Sequence, residues 1–345
     1  MDAACPVCRG CAAEVYLDIE AHQVRRCMGC GLLSTWPELT REQIAGLYED
    51  CYYEGPKAKR FRLGLAEVLM KLFRYGRASR IRRILNHAPA RILDVGCGRG
   101  YMLRWLQDWG YEVHGTQLSS AAVQFARESL GLTAIHHGDL LDAGYPGEWF
   151  DFISLYHVFE HFPDPVEQLR EFHRVLKPGA LLYVEVPNGG SLPARWLKAH
   201  WLAWDLPRHR FHYDVDTLSQ MARACGFAPE GVRFFSLEYS PVTLLLSLHT
   251  AAFRDRHMFF RFLTQGNTGS RRASAAQVAC LLAQGVSMCL MAVPVLMASA
   301  FLAWARAGDT IGIYFRKLPT TLSGHPGMAA VSHMAGSAVT KESCA

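Results

Sequence analysis

The sequence predicts an α/β protein built on an open, mostly parallel sheet with helices on both faces. Three observations predict it. Arg91 to Gly100 reads as an apolar strand running into a glycine-rich turn, and Tyr101 to Trp109 then reads as a helix stopped by Gly110. Apolar runs short enough for strands alternate with helical patterns as far as Val186. The runs are rich in Ile, Leu and Val on successive positions, as strands covered on both faces require.

The elements follow in order. Ile92, Leu93 and Val95 form the first strand of the sheet. Tyr111 to Thr116 is the second strand, and Ser120 to Leu130 is a helix. A short third strand lies near Thr133 to His136, and Phe150 to Tyr156 is the fourth. Asp164, Pro165 and Glu167 supply a capping acid, a first-position proline and a glutamate three residues on, which start a helix running to Leu176. Lys177-Pro178-Gly179 ends it, and Ala180 to Val186 is the fifth strand. Leu218 to Cys225 is the last helix of the domain. Val232 to Leu237 is expected as the sixth strand and Asp309 to Lys317 as a final antiparallel one.

In such a sheet, ligands lie at the carboxyl ends of the strands, so the glycine turn is a cofactor site. A dinucleotide fingerprint needs a small residue three positions after its second glycine, and Tyr101 stands there, counting from Gly98. The pattern is instead Asp94-Val95-Gly96-Cys97-Gly98-Arg99-Gly100, led by an acid that repels a pyrophosphate and suits a cation. It resembles the first motif of class I S-adenosylmethionine-dependent methyltransferases. The run His157-Val158-Phe159-Glu160-His161, then Asp164-Pro165, Leu176-Lys177-Pro178-Gly179 and Glu185-Val186-Pro187-Asn188, is similar to the same family at matching intervals. The resemblance implies a Rossmann-like seven-stranded methyltransferase sheet and S-adenosylmethionine as cofactor. It implies that Asp94 faces the methionine amino group and that Gly96, Cys97, Gly98 and Gly100 admit the cofactor closely. Gln117 and Leu118 stand where the family has an acid for the ribose hydroxyls, so an amide replaces a carboxylate. Asp139 resembles the acid that accepts from the adenine amino group, with Leu140 beside the ring, and Tyr156 ends the fourth strand next to the cofactor.

Ahead of the domain, Cys5-Pro6-Val7-Cys8 and Cys27-Met28-Gly29-Cys30 are two knuckles with eighteen residues between them. Four thiolates at this spacing suit a closed, structural zinc site, and zinc would replace the core that so short a segment lacks. An iron–sulfur cluster, four free thiols or a register using Cys11 are the alternatives. The knuckles resemble those of deoxysugar C-methyltransferases and related enzymes of polysaccharide clusters. Thr40 to Tyr53 reads as a short helix capped by Thr40, and Lys57 to Arg83 as a basic amphipathic helix over the cofactor entrance, its cations forming a solvated face.

Ala273 to Ala305 carries no charge and is long enough to cross a bilayer. A single crossing would strand Thr310 to Lys317 on the far side of the membrane, away from the sheet it must rejoin. Pro294 therefore predicts two shorter helices forming a re-entrant or in-plane hairpin, a greasy platform beside the substrate entrance. A helical cap packed on protein is the alternative.

The expected organisation is a zinc-binding module over 1–38, a helical lead-in over 39–88, the methyltransferase domain over 89–237 and 309–318, a hydrophobic helical insertion over 238–308 and a disordered tail over 319–345. The chain has 345 residues and a net charge of +5 spread along it, poor grounds for nucleic-acid binding. The first ten residues contain no apolar run, so a cytoplasmic protein is expected, peripheral or monotopic on the inner membrane through 238–308. Eleven cysteines in that compartment favour metal or free thiols over disulfides. The leading reading is methyl transfer to a sugar or lipid-linked glycan intermediate of cell-surface biosynthesis. The others are O-methylation of a membrane-dissolved quinone-like or lipid substrate, and a non-catalytic adaptor keeping the fold. A hydroxyl acceptor needs a base, and His161, His157 and His209, with Glu160 orienting an imidazole, are the candidates. A divalent ion held by His157, Glu160 and His161 is a minor alternative.

Overall fold

The computed structural model describes residues 4–38, 43, 64–253 and 275–319. The expected helix of Thr40 to Tyr53 and the tail after Thr320 lie outside the described residues. The chain begins with strands β1 (Ala13–Ile19), β2 (His22–Cys27) and β3 (Leu33–Trp36), followed by helix α1 (Gly64–Ile84). The large sheet then builds through β4 (Arg91–Val95), α2 (Tyr101–Asp108), β5 (Glu112–Gln117), α3 (Ser120–Leu130), β6 (Ile135–His137), β7 (Phe150–Tyr156), α4 (Pro165–Val175) and β8 (Leu176–Pro187). A short helix α5 (Leu192–Leu197), strand β9 (Phe211–His212), helix α6 (Val215–Ala224) and strand β10 (Phe227–Arg233) come next. Helices α7 (Ser240–Phe253) and α8 (Ala275–Trp304) and strand β11 (Thr310–Lys317) complete it.

The seven-stranded order is β10-β11-β8-β7-β4-β5-β6. β11 runs antiparallel to both neighbours, and the remaining pairs are parallel. This is the expected sheet. Its central strands are buried on both faces: Ile92, Leu93, Phe152, Ile153, Leu155, Leu182 and Val184 have no exposed surface. Asp164 caps α4, accepting from the backbone N–H groups of Val166 and Glu167 with Pro165 in the first turn, and Ser119 caps α3. Gly131 closes α3 in the left-handed region, which an L side chain rarely adopts.

The amino-terminal strands form their own sheet, ordered β1-β2-β3-β9. β9 belongs by sequence to the carboxyl half, and its pairing of Leu33 with His212 and Ser34 with Phe211 joins the cysteine-bearing segment to the large sheet.

Three elements depart from the sequence reading. The sixth strand is Phe227–Arg233, about five residues earlier than expected, because an edge strand tolerates Pro229 and Gly231, which read as breakers. Helix α8 is one helix of 30 residues that passes through Pro294. Proline lacks the N–H that would bond the Leu290 carbonyl, but Pro294 and Leu290 are exposed, so the helix continues without a buried orphan. The hairpin is therefore formed by α7 against α8, not by two halves of α8. Finally, the cations of α1 are not all on a solvated face: Arg77 is buried, whereas Val68, Leu69 and Leu72 are exposed.

Candidate active site

The strand order turns outward in opposite directions at β4 and β7, and the cofactor end of such a sheet lies at that switch point. The glycine loop follows β4 there. Gly96, Gly98 and Gly100 all have positive φ, at 69°, 58° and 79°. The backbone N–H groups of Gly96 and Cys97 donate to the Thr116 carbonyl, tying the loop to β5. A Cβ on Gly96 would collide with Val158, and one on Gly100 with Leu132, so both positions are closed to larger residues by packing as well as by φ.

Asp94 is 6% exposed, and its carboxylate accepts from the Ser154 hydroxyl at 2.8 Å. Burial pushes its pKa up to about 6, against the Ser154 hydrogen bond and the charges of Arg77 and Arg74. A buried carboxylate with spare acceptor capacity is chemically matched to a cationic group. At the end of β5, the Gln117 carbonyl accepts from the Leu118 N–H at 2.9 Å, which leaves the amide NH₂ as its donor toward a hydroxyl-bearing ligand. Leu118 is exposed beside it. After β6, the Asp139 carboxylate accepts from Gln168 at 3.0 and 3.1 Å and from the Leu140 N–H. Leu140 is fully buried among the core residues, Cys97 turns its sulfur toward Gly115, and Tyr156 lies beneath the Arg77 guanidinium at 3.9 Å. The donors and acceptors round the glycine loop, an acid for a cation, an amide for a diol and a second acid for an amine, fit S-adenosylmethionine.

The segment after β7 brings the histidine candidates together. His157 has φ 56°, a conformation unusual for a non-glycine residue, and is held there by its N–H donating to the Glu185 carbonyl at 2.8 Å. Its ring stacks on Tyr239 at 3.6 Å between centroids. Nδ1 stands 3.5 Å from Glu160 and Nε2 3.7 Å from Glu185. Glu160 is 1% exposed, with His209 Nε2 at 3.8 Å. Burial pushes the Glu160 pKa up, but His157, His161 and His209 outweigh it and hold the carboxyl down at about 2. Burial and the neighbouring His209 depress His161 to about 4, so its ring is neutral at pH 7. The rings of His161 and His209 are 4.8 Å apart.

Beside this lies a buried ionic cluster that the sequence reading missed. Arg77 Nη2 meets Glu238 at 2.6 Å and Glu185 at 3.6 Å, and Arg74 meets Glu238 at 2.9 Å. Ser236 and Tyr183 donate to the two oxygens of Glu185 at 2.9 and 2.8 Å. Burial opposes the Arg77 charge, and the facing carboxylates of Glu238 and Glu185 more than compensate, raising its pKa. One signal was available: Glu185 is a charged residue inside a continuous apolar strand, which such strands bury only with a partner.

At the amino terminus, one sulfur from each of Cys5, Cys8, Cys27 and Cys30 lies within 4.8 Å of the others. Cys5 and Cys30 are 3.5 Å apart, and Cys8 and Cys27 3.4 Å. Cys11 is outside this group. Four convergent sulfurs suit one tetrahedral ion.

Residues 69–231 match the family model described as a methyltransferase domain. The chain is 29% identical over 174 residues to a ubiquinone biosynthesis O-methyltransferase of Bordetella parapertussis, covering 46% of this chain and 69% of that protein. It is 34% identical over 140 residues to the enzyme of the same name from Xanthomonas oryzae, covering 37% of this chain and 57% of that one. A solved S-adenosylmethionine-dependent methyltransferase from Archaeoglobus fulgidus aligns at TM-score 0.43 and 18% identity over 73% of this chain and 99% of its own. Residues 69–231 are a methyltransferase domain, and the acid-led glycine loop at the switch point lies within it.

Proposed function

We propose that the protein O-methylates a small hydroxyl-bearing, quinone-like or lipid acceptor that it takes from a membrane surface. The observation that carries this reading is the outer face of α8. Val286, Leu290, Val293, Met297, Phe301 and Trp304 recur at three- and four-residue spacing and are all exposed, forming an uncharged apolar stripe. The window Gly285–Trp304 is long and apolar enough to cross a membrane by composition, yet only 11% of it is buried in protein. Trp196 and Leu192 of α5 are exposed too, and the Leu192 N–H donates to the Ala307 carbonyl just beyond α8, with Arg195 on the same short helix. Aromatic rings beside cations favour the headgroup layer. Because β11 returns to the sheet within six residues of Trp304, α8 and α7 enter one leaflet rather than cross. The names of the curated relatives support an aromatic hydroxyl as the acceptor.

When bound, S-adenosylmethionine supplies the methyl group and a neutral leaving group. Asp94 would bind its ammonium, Gln117 its ribose and Asp139 its adenine, with Gly96, Cys97, Gly98 and Gly100 giving close access. His157 would take the acceptor proton, and the imidazolium formed would face Glu160 and Glu185. Cys5, Cys8, Cys27 and Cys30 would hold a structural zinc ion, fixing the sheet that β9 joins to the rest.

A specific observation keeps a second acceptor in view, a sugar or lipid-linked glycan. A groove of about 210 Å³ beside the cysteine cluster is lined by Arg9, Arg25, Trp36 and Ser34, with Arg210 paired to Glu38 at 3.7 Å and Asp164 also on its wall. Arg25 lies over the Trp36 ring at 4.2 Å, a cation–aromatic surface that suits a phosphorylated sugar.

Methyl transfer from labelled S-adenosylmethionine into fractionated cell-envelope extracts separates the two acceptors. Replacing His157 by Asn should lower the transfer rate by about 10²- to 10⁴-fold with cofactor affinity unchanged; an undiminished rate rejects His157 as the base. In a liposome flotation assay, Leu290→Ser with Phe301→Ser should abolish co-migration with anionic vesicles, and unchanged flotation rejects the membrane reading.

A further inference from the structure

We propose that Tyr239 is a positioning residue for His157, its ring fixing the plane of the imidazole that takes the acceptor proton. The proposal deepens the reading of His157 as the base and rests on it.

Hydrogen bonds leave the plane of that imidazole unset. The outer torsion of a histidine is broad, so the ring needs partners to hold it. Nδ1 stands 3.5 Å from Glu160 and Nε2 3.7 Å from Glu185, both beyond the roughly 2.7–3.2 Å of a good hydrogen bond. Nε2 is buried with no hydrogen-bond partner among the described residues. The Glu185 oxygens are already engaged, by Ser236 at 2.9 Å and Tyr183 at 2.8 Å. What meets the ring face to face is Tyr239, with centroids 3.6 Å apart and planes 30° apart. That is closer than the roughly 4.5–7 Å of ordinary aromatic pairs.

Tyr239 is itself held on both sides. Its neighbour Glu238 pairs with Arg77 at 2.6 Å and with Arg74 at 2.9 Å. Its other neighbour, Ser240, accepts at its hydroxyl from the Ser236 N–H at 3.1 Å. The Tyr239 N–H donates to the Ser236 carbonyl at 3.1 Å, and the Tyr239 carbonyl accepts from the Thr243 N–H at 2.8 Å, opening α7. The turn 236–240 is thereby pinned to α1 and β8.

Glu185 references the base and the ring to each other. Its main-chain carbonyl accepts from the His157 N–H at 2.8 Å and holds that residue at a φ of 56°. Its side chain holds Ser236, and so the turn that carries Tyr239. A backbone conformation this uncommon persists only where its surroundings over-determine it, and these do. Fixing a base this firmly matters because a misplacement of about 1 Å can cost 10²-fold in rate.

A ring that merely packs would affect stability and leave the rate of the folded protein alone, so rates separate the two roles. Methyl transfer from labelled S-adenosylmethionine into cell-envelope extract is compared for Tyr239→Phe, Tyr239→Leu, His157→Asn and the Leu–Asn double variant. Circular dichroism gives the folded fraction and calorimetry the cofactor affinity. Tyr239→Leu should lower the rate by about 10- to 10²-fold with cofactor affinity unchanged. Tyr239→Phe, which keeps the ring, should restore most of that loss. In the His157→Asn background Tyr239→Leu should cost nothing further, because the ring acts only through the imidazole. Tyr239→Met, whose flexible chain fills irregular gaps, repeats the comparison where Tyr239→Leu does not fold. The His157 ring-proton resonances, identified by their disappearance in His157→Asn, should lie upfield in the wild type and in Tyr239→Phe and move downfield in Tyr239→Leu. A wild-type rate in Tyr239→Leu beside a lowered one in His157→Asn overturns the positioning role alone. So does a Tyr239→Leu loss of the same size with and without His157, or a Tyr239→Phe loss equal to that of Tyr239→Leu. An undiminished rate in His157→Asn rejects the base itself, and the proposal with it.

Discussion

The glycine loop and the carboxylate cluster beside it lie at the same end of the sheet and are built in opposite ways. The loop is seven consecutive residues, Asp94 to Gly100, whose conformation is set by their own φ angles and one neighbouring carbonyl. The cluster gathers Arg74 and Arg77 from α1, His157 and Glu160 after β7, Glu185 from β8, His209 before β9, and Glu238 and Tyr239 before α7. The first depends on local geometry and tolerates little change in residue size. The second depends on charge balance among distant segments and fails when one partner is removed. The lesson is that the glycine loop is built by local geometry and the ionic cluster by tertiary contacts.

The largest effect should follow from breaking the tertiary region. Replacing Arg77 by Met leaves Glu185 and Glu238 buried without their shared cation. Removing one partner of a buried ion pair costs about 3–5 kcal/mol, and urea unfolding should show a loss in that range. Adding Glu238→Gln to Arg77→Met should recover part of it. A loss below about 1 kcal/mol would mean that water already screens the cluster.

This difference also explains what could be read from the sequence. The sheet, its capped helices and the acid-led loop follow from periodicity and spacing over a few residues, so β7, α3 and the Asp164 cap match expectation. The two cysteine knuckles were legible for the same reason, since ligand spacing is a local property. Arg77 was not legible: on a helix carrying many cations, nothing local separates the one that is buried from those that are solvated. The histidines could be named individually, but His161 and His209 are 48 residues apart in sequence and only the return of β9 to β3 brings their rings to 4.8 Å. The course of α8 through Pro294 was missed because a proline can kink a helix without ending it, and which of the two occurs is set by the tertiary surroundings.

A smaller effect is expected in the local region. Gly96→Ala puts a Cβ against Val158 at a φ of 69°. The left-handed conformation costs about 1–2 kcal/mol and overpacking about 1–3 kcal/mol more. Calorimetry should show S-adenosylmethionine affinity reduced more than tenfold. Val158→Ala should relieve the collision but not the backbone strain, so the double variant should regain only part of the loss. Full recovery would show that packing alone demands glycine.

The smallest effect tests whether Asp94 joins the two regions. It belongs to the loop, yet the cations that act on it, Arg77 and Arg74, are those of the cluster, and Cys97 and Tyr156 complete its surroundings. Its pKa is raised from 3.8 to about 6, so the cofactor-free fold favours the protonated acid. The sign follows from that direction: this group's contribution to stability is complete below about pH 4 and is lost as pH rises through 6. An ammonium needs the ionised carboxylate, so cofactor binding runs the other way. Affinity for S-adenosylmethionine should be level above pH 7 and should weaken below pH 6, approaching tenfold, or about 1.4 kcal/mol, per pH unit. Asp94→Asn cannot ionise, so in that variant the affinity should be lower at pH 7 and the slope absent, which isolates Asp94 from every other titrating group. Arg77→Met should move the midpoint upward, because it removes a cation that favours the ionised acid. A midpoint that stays at 6 in Arg77→Met would show that the loop titrates independently of the cluster, and the division between the two regions would then be complete.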